Sequence, residues 1–209
     1  MRTAKKTKVP AKKPQTNNRG SNTLRIIGGE WRSRKLQFID APGLRPTPDR
    51  IRETLFNWLQ GKTHNANCLD LFAGSGALGL EALSRGAKNV VFIEKNAVIA
   101  NKLKENLALL KADATVIISD ALSYINNETK AKEVFDVIFL DPPYRLGLIE
   151  KSLSNLIEKK LLNESTLIYL EHEEEESFDW AEFGLVALKQ ASAGQVQSFL
   201  VKQIGSKTA

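Results

Sequence analysis

The chain has 209 residues, of which 42% are hydrophobic and 26% charged, so it can bury a full core and is not disordered throughout. Its net charge of +6 is unevenly distributed: residues 1–50 carry 13 Lys and Arg against 3 Asp and Glu, whereas the remainder carries a net charge of −4. A basic amino-terminal part on a mildly acidic body predicts a polyanionic partner, and nucleic acid is the one we expect.

Cysteine, histidine and hydropathy exclude several classes of protein. One cysteine, Cys68, excludes an intramolecular disulfide framework and is typical of a reducing compartment. With only two histidines beside it, we expect no metal site of the zinc type. No apolar run approaches the roughly 18 residues of a membrane span. Residues 1–22 are basic but are not followed by the apolar segment of a secretory signal, so we expect no such signal. We therefore expect a soluble cytoplasmic protein without membrane contact.

Residues 1–22 contain Lys, Arg, Pro, Asn and Thr and almost nothing to bury, which predicts a disordered basic tail. Two roles stay open for this tail, solubilising the chain or contacting a phosphate backbone. Residues 23–60 follow as a small extension, which begins with two short strands around Gly28-Gly29, a hairpin signal.

Basic residues interleaved with an aromatic residue indicate that the extension contacts RNA, because guanidinium groups and rings stack on bases. An edge hairpin with a solvated face is the alternative interpretation. The residues expected to contact RNA are Arg25, Trp31, Arg32, Arg34, Lys35, Arg45 and Arg50.

A helix is predicted from about residue 48 to residue 60. Thr47 is the expected N-cap, and Pro48 occupies the first helical position, where its missing N–H is tolerated. Arg50 and Arg52 are expected on the face opposite the core. The buried stripe, at helical spacing, consists of Ile51, Leu55, Trp58 and Leu59.

From Cys68 onward, short apolar runs alternate with helical patterns. Buried parallel strands are indicated by the runs CLDLF, VVFIE, ATVIIS, FDVIFL and STLIYLE. Residues 183–190 and 195–203 alternate in hydropathy and predict a final antiparallel pair. The pattern predicts an α/β fold over residues 61–209, with a mostly parallel, doubly wound sheet and helices on both faces.

The first of these strands runs into a glycine-rich turn. Gly74, Gly76 and Gly79 form G-x-G-x-x-G between a strand and a helix, and Glu94 ends the next strand. The glycines permit close approach of the backbone to a ligand, and the acid can hold ribose hydroxyls. By itself the pattern indicates a nucleotide-containing cofactor, NAD included.

Asp70 and Phe72 change this interpretation, because the turn then reads D-x-F-x-G-x-G. That form resembles motif I of the Rossmann-like methyltransferases that use S-adenosylmethionine (SAM). A carboxylate near the helix N-terminus repels a pyrophosphate, whereas a cofactor with an ammonium group and no phosphate tolerates it. Asp120, with the Ala121 N–H nearby, matches the place where this superfamily binds adenine; helix N-capping by Asp120 is the competing interpretation.

The motif Asp141-Pro142-Pro143-Tyr144 follows the strand FDVIFL, at the sheet edge where open α/β proteins bind ligands. It resembles the D/N-P-P-Y/F signature of methyltransferases that act on exocyclic or amide nitrogens. Asp141 and the Pro142 carbonyl can accept the N–H groups of an aromatic amine, which frees its lone pair for attack, and Tyr144 can stack on the base. Such hydrogen bonds strengthen as the nitrogen becomes cationic, which favours the transition state. A rigid acidic loop is the competing interpretation.

Four segments together carry the resemblance to a family: RIIGGEWRSRKL (25–36), GLRPTPDRIRETLFNWL (43–59), LDLFAGSGALGLEALSRGA (69–87) and DPPY (141–144). From about residue 23 to 203 the chain resembles the bacterial 16S rRNA guanine-N2 methyltransferases of the guanine-966 type. The resemblance implies a class I methyltransferase with a seven-stranded sheet, a monomer, that transfers a methyl group from SAM to N2 of one guanine in the small ribosomal subunit.

Site residues follow from the same resemblance, motif by motif. It implies cofactor binding by Asp70, Phe72, Gly74, Gly76, Glu94, Asp120 and Ala121. It implies that the target guanine is held by Asp141, Pro142 and Tyr144. Other hypotheses stay open from the motifs alone: an amino-methyltransferase acting on DNA adenine or protein glutamine, a nicotinamide-dependent dehydrogenase, and a non-catalytic RNA-binding module.

Overall fold

A computed structural model describes residues 22–41, 47–127, 134–173 and 178–204 of the chain. The predicted basic tail, apart from residue 22, and Arg45 lie outside these described residues. No helix within the described ranges is long and apolar enough to cross a membrane.

In the part of the chain that the structure describes, the main sheet has seven strands, as predicted. Its parallel strands are β3 (Asn67–Asp70), β4 (Asn89–Glu94), β5 (Thr115–Ile118), β6 (Val137–Leu140) and β7 (Leu167–Glu173). Two long strands complete one edge as the predicted antiparallel pair: β8 (Leu185–Ala193) and β9 (Val196–Gln203), with a register shift between Ala187 and Lys189. The order across the sheet is β5-β4-β3-β6-β7-β9-β8.

Among the described residues, five helices cover the sheet, because both faces of its central strands are apolar and need partners. They are α1 (Asp49–Trp58), α2 (Ala77–Ser84), α3 (Ala97–Leu110), α4 (Ala121–Asn126) and α5 (Leu148–Glu158), and a 3₁₀ turn spans Trp180–Phe183. Buried side chains form one hydrophobic cluster on each face. Chain order reverses between β3 and β6, since β3 is followed by β4 on one side and pairs with β6 on the other. Ligand sites in open α/β sheets lie at such a point.

The amino-terminal hairpin consists of β1 (Thr23–Arg25) and β2 (Lys35–Gln37), paired antiparallel as predicted but shorter. The strands end early because the connection bends onto helix α2. There the buried carboxylate of Glu81 accepts hydrogen bonds from the backbone N–H groups of Ile27 (2.8 Å) and Gly28 (2.7 Å). The hairpin side chains Leu24, Ile26, Trp31 and Leu36 join the same core cluster as the sheet.

Helix α1 corrects two expectations. Its N-cap is Pro48 and makes no side-chain cap, so Thr47 does not cap the helix. Arg52, expected on the outer face, is 1% exposed. Its guanidinium is buried because Asp49 (2.5 Å), Glu81 (3.4 Å) and the carbonyl of Arg25 (2.8 Å) accept its hydrogen bonds. A buried charge satisfied in this way joins the extension to the main sheet.

Candidate active site

Three carboxylates meet at the carboxyl edge of the sheet, at the ends of neighbouring parallel strands. Asp70 ends β3, Glu94 ends β4 and Asp141 follows β6. In the register, Asp70 lies between Phe92 of β4 and Phe139 of β6, so the glycine turn and the D-P-P-Y motif emerge side by side. The structure thus brings together the two motifs that the sequence analysis assigned to cofactor and substrate.

The glycine turn depends on backbone conformations that favour glycine. Gly74 and Gly76 have φ of +49° and +78°, and Gly76 is the left-handed N-cap of α2. A Cβ atom on Gly76 would lie 2.5 Å from Cδ1 of Leu103, and one on Gly79 would lie 2.2 Å from the ring of Phe92. The turn therefore holds the helix close to the sheet with its first N–H groups directed to the strand edge.

The two oxygens of Glu94 are both engaged by backbone donors. Oε2 accepts from the N–H of Gly74 (2.9 Å) and Oε1 from the N–H of Asn96 (2.7 Å). The carboxylate thereby links the glycine turn to the start of α3, where the Asn96 side chain caps the helix. Each oxygen keeps a second lone pair, so the group can still accept from a ribose hydroxyl.

Asp70 is buried, and its Oδ2 accepts from the N–H of Gly79 at 3.0 Å. Burial raises the pKa of Asp70 to about 7, and the neighbouring carboxylates of Asp141 and Glu94 act in the same direction. Its hydrogen bond holds helix α2 against the strand. Asp70 thus stabilises the helix that follows the glycine turn. Phe72, within the turn, is half-buried.

Asp120 is exposed and caps helix α4, with Oδ1 accepting from the N–H of Ser123 at 3.0 Å. Asp120 therefore caps a helix, as the competing interpretation of the sequence predicted. Ala121 is buried directly after it. Because capping uses Oδ1, the second carboxylate oxygen, Oδ2, is compatible with the predicted contact with adenine.

The D-P-P-Y motif follows β6 directly, and its one acidic residue, Asp141, is half-buried. Oδ2 of Asp141 accepts a hydrogen bond from the hydroxyl of Thr47 at 3.3 Å. Burial raises the pKa of Asp141 to about 6, and the bond from Thr47 opposes that rise. Pro142 is buried, whereas Pro143 and Tyr144 are exposed at the rim, Tyr144 with 36% of its surface accessible.

A fourth carboxylate, Glu171, was missed by the sequence analysis. It is 2% exposed and lies on β7 beside Asp141, since Leu140 and Leu170 pair in the parallel register. The hydroxyl of Tyr169 donates to it, and burial together with Asp141 raises the pKa of Glu171 to about 8. The sequence feature that could have identified it is its position: Glu171 is the acidic residue that ends the apolar run STLIYLE.

Most of the predicted RNA-contacting residues are exposed. Arg32, Arg34, Lys35 and Arg50 are exposed to solvent, and Arg25 pairs with Asp49 at 2.6 Å. Trp31 is the exception: it is 8% exposed and packs in the core, so its indole cannot stack on a base in this conformation. Its role in RNA contact is therefore corrected to a structural one.

Within the described residues, no cluster of three or more His, Cys, Asp or Glu side chains is arranged to hold a metal ion. The site consists instead of carboxylates held by backbone N–H groups on one side and by side-chain hydroxyls on the other. Such an arrangement suits a ligand with hydroxyl, amino or cationic groups and disfavours a phosphate.

Comparison with known proteins agrees with this geometry. The family model described as "Conserved hypothetical protein 95" matches residues 24–202. The "Ribosomal RNA small subunit methyltransferase D" of Escherichia coli K12 is 46% identical over 186 residues, which cover 88% of this chain and 91% of that protein. The protein of the same name from Haemophilus influenzae is 48% identical, covering 78% and 86% respectively.

Solved structures show the same similarity. The structure named "Putative methyltransferase yhhF" from Escherichia coli has a TM-score of 0.79 at 44% identity. The match covers 87% of this chain and 98% of that one. Similarity therefore extends over the extension and the main sheet together.

Proposed function

The chain belongs to the family described as "Conserved hypothetical protein 95" and is similar over most of its length to the ribosomal RNA small subunit methyltransferases D. From this premise we propose that it is a class I methyltransferase that uses SAM. The chain transfers a methyl group from SAM to the exocyclic N2 of one guanine in 16S rRNA of the small ribosomal subunit. The observation that carries the proposal is the position of Asp141-Pro142-Pro143-Tyr144, directly beside the glycine turn at the carboxyl edge of the sheet.

The residues of the glycine turn fit the cofactor of this family. Glu94 can accept the ribose hydroxyls, and the backbone turn at Gly74–Gly76 leaves room for close approach. SAM carries no phosphate, and its amino-acid part has an ammonium group, so carboxylates at this edge favour it over a dinucleotide. When bound, SAM supplies an electrophilic methyl group on a sulfonium ion.

Asp141 orients the nucleophile. Its carboxylate and the carbonyl of Pro142 accept the two N–H groups of the guanine amine, which directs the nitrogen lone pair towards the methyl donor. The carboxylate must be ionised to accept, and a pKa of about 6 leaves it mainly ionised at neutral pH. Since the nitrogen becomes cationic during transfer, these bonds strengthen in the transition state.

Proton removal follows methyl transfer. The methylated nitrogen is a much stronger acid than the starting amine, and it gives its extra proton to the carboxylate that already accepts its hydrogen bond. The raised pKa of Asp141 suits this role, because a base with a pKa near ambient pH both takes up and releases a proton readily. Tyr144, at the exposed rim, can stack on the guanine ring.

The extension over residues 23–60 supplies the proposed RNA contact, and residues 61–209 form the methyltransferase domain. Arg32, Arg34 and Lys35 lie exposed on the hairpin, where they can neutralise backbone phosphates. The target guanine has to leave its stack to reach the D-P-P-Y motif, at a cost of a few kcal/mol that is smaller in a loop. We propose that the protein acts in this way as a cytoplasmic monomer.

A methylation assay tests the proposal. Small ribosomal subunits that lack the modification are incubated with the protein and methyl-labelled SAM, and the labelled nucleoside is identified after digestion. We expect N2-methylguanosine at one position of 16S rRNA. Free 16S rRNA, DNA and protein fractions serve as parallel substrates. Label on adenine or on protein, or a lack of label in all fractions, would contradict the proposed reaction.

A further inference from the structure

Thr47 contacts the D-P-P-Y motif from the extension, 94 residues earlier in the chain. Its hydroxyl donates to Oδ2 of Asp141, and Thr47 is itself buried, with 7% of its surface exposed. We propose that Thr47 is a positioning residue, whose hydroxyl orients Asp141 so that the other carboxylate oxygen, Oδ1, accepts from the target amine. This inference rests on the proposed function, because it assigns Thr47 a part in the same reaction.

Thr47 is held in place from its backbone side. Its carbonyl accepts a hydrogen bond from Nε of Arg52 at 3.1 Å. Arg52 is fixed in turn by Asp49 and by the buried carboxylate of Glu81 on α2. Because this guanidinium is buried and bonded in several directions, the backbone that presents the Thr47 hydroxyl is tied to both the extension and the main sheet.

The groups around Asp141 make a donor valuable at this position. Asp70 lies on the β3 side, while Glu171 and Tyr169 lie on the β7 side, and each of these groups interacts with the Asp141 charge. An additional negative charge on either side disfavours the ionised form of Asp141. The hydroxyl of Thr47 acts in the opposite direction, since a donor stabilises the carboxylate. The same bond also restricts rotation of the carboxylate plane.

Thr47→Val removes the hydroxyl and keeps the shape, so it tests the contact directly. Two quantities are measured: the rRNA methylation rate as a function of pH, and the titration of Asp141 in the protein with ¹³C-labelled aspartate. The Asp141 signal is assigned from its loss in Asp141→Asn. We expect kcat at neutral pH to fall by roughly tenfold. We also expect the acid limb of the rate profile and the Asp141 titration to move together to higher pH.

Two variants serve as controls for Thr47→Val. Thr47→Ser keeps the hydroxyl and should restore the wild-type rate profile and titration. Thr54→Val makes the same substitution on helix α1, which follows Thr47, and should change neither, because in the described contacts the Thr54 hydroxyl bonds only to the carbonyl of Arg50. Melting temperature and SAM affinity are measured for all variants to detect a general loss of structure.

Three results would overturn the inference. One is an Asp141 titration and acid limb in Thr47→Val that coincide with those of the wild type. A second is failure of Thr47→Ser to restore them, because the methyl group rather than the hydroxyl would then matter. The third is an equal change in Thr54→Val. If the wild type methylates no rRNA, the proposed function fails instead, and the titration still reports whether the hydrogen bond exists.

Discussion

The two halves of the site hold their carboxylates in different ways. On the cofactor side, Asp70 and Glu94 accept hydrogen bonds from backbone N–H groups of Gly79, Gly74 and Asn96. On the substrate side, Asp141 and Glu171 accept from the side-chain hydroxyls of Thr47 and Tyr169. Backbone donors cannot be removed by an ordinary substitution, whereas a hydroxyl can. Single substitutions can therefore remove the hydrogen-bond donors of the substrate side, whereas on the cofactor side they can change only the acceptors.

The largest effect is expected on the substrate side, at Asp141. Asp141→Asn keeps the size of the side chain but removes the charge that stabilises the cationic nitrogen, so kcat for rRNA methylation should fall on the order of a hundredfold or more. SAM affinity, measured by calorimetry, should change little. A loss of SAM binding comparable to the loss of rate would show that the two halves are not separate.

The matching change on the cofactor side is Glu94→Gln. It leaves one oxygen for the two backbone donors and places an NH₂ group against the other, so we expect SAM affinity to fall by roughly tenfold. At saturating SAM, kcat should stay near the wild-type value, because Glu94 does not touch the target amine. A fall in kcat alone, with unchanged affinity, would contradict the division between the halves.

A smaller effect concerns stability as a function of pH, and Glu171 is the group that tests it. The pKa of Glu171 rises to about 8 in the folded protein, so between its unfolded value and 8 the folded state binds more protons than the unfolded state. Stability therefore decreases as pH rises through this window, and Asp70 and Asp141 act with the same sign.

Glu171→Gln removes one of these three contributions. The melting temperature of the wild type should fall more steeply than that of Glu171→Gln between pH 5 and pH 8, by an expected difference of a few degrees. Thermal unfolding monitored by circular dichroism at several pH values measures both slopes. Parallel slopes would mean that the carboxyl is ionised throughout this range.

The smallest single effects are expected on the exposed basic surface, away from both halves. Arg32→Ala and Arg34→Ala should each weaken binding to rRNA by a few-fold and reduce the salt dependence of binding by about one unit of slope. The methylation rate at saturating RNA should remain unchanged. Trp31→Phe provides the contrast. Because the Trp31 side chain is buried, replacing it with a smaller ring should lower the melting temperature and leave RNA affinity unaltered.

Local patterns were sufficient to predict the sheet, the final antiparallel pair and the two motifs at the switch point. The runs around Asp70, Glu94 and Asp141 carry their signal within a few residues, and parallel strands necessarily bring their carboxyl ends to one edge. The amino-terminal helix was also placed correctly, to within about two residues at each end.

Long-range contacts account for what the sequence did not predict. Thr47 has the local signature of an N-cap, but its hydroxyl finds Asp141 far along the chain instead. The spacing of Arg52 predicts the exposed face of its helix. Its side chain is buried instead, because the buried carboxylate of Glu81, 29 residues along the chain, accepts a hydrogen bond from its guanidinium. Trp31 is flanked by arginines like a base-stacking residue, and only tertiary packing decides that it is buried.

The buried carboxylate of Glu81 makes the extension inseparable from the catalytic body. Three of its four donors, the backbone N–H groups of Ile27 and Gly28 and the guanidinium of Arg52, belong to residues 23–60, and Arg85 is the fourth. A chain that began at residue 61 would leave an anion inside the protein with one partner. The part proposed to recognise RNA and the part proposed to perform the chemistry therefore have to be inherited, and engineered, as one piece.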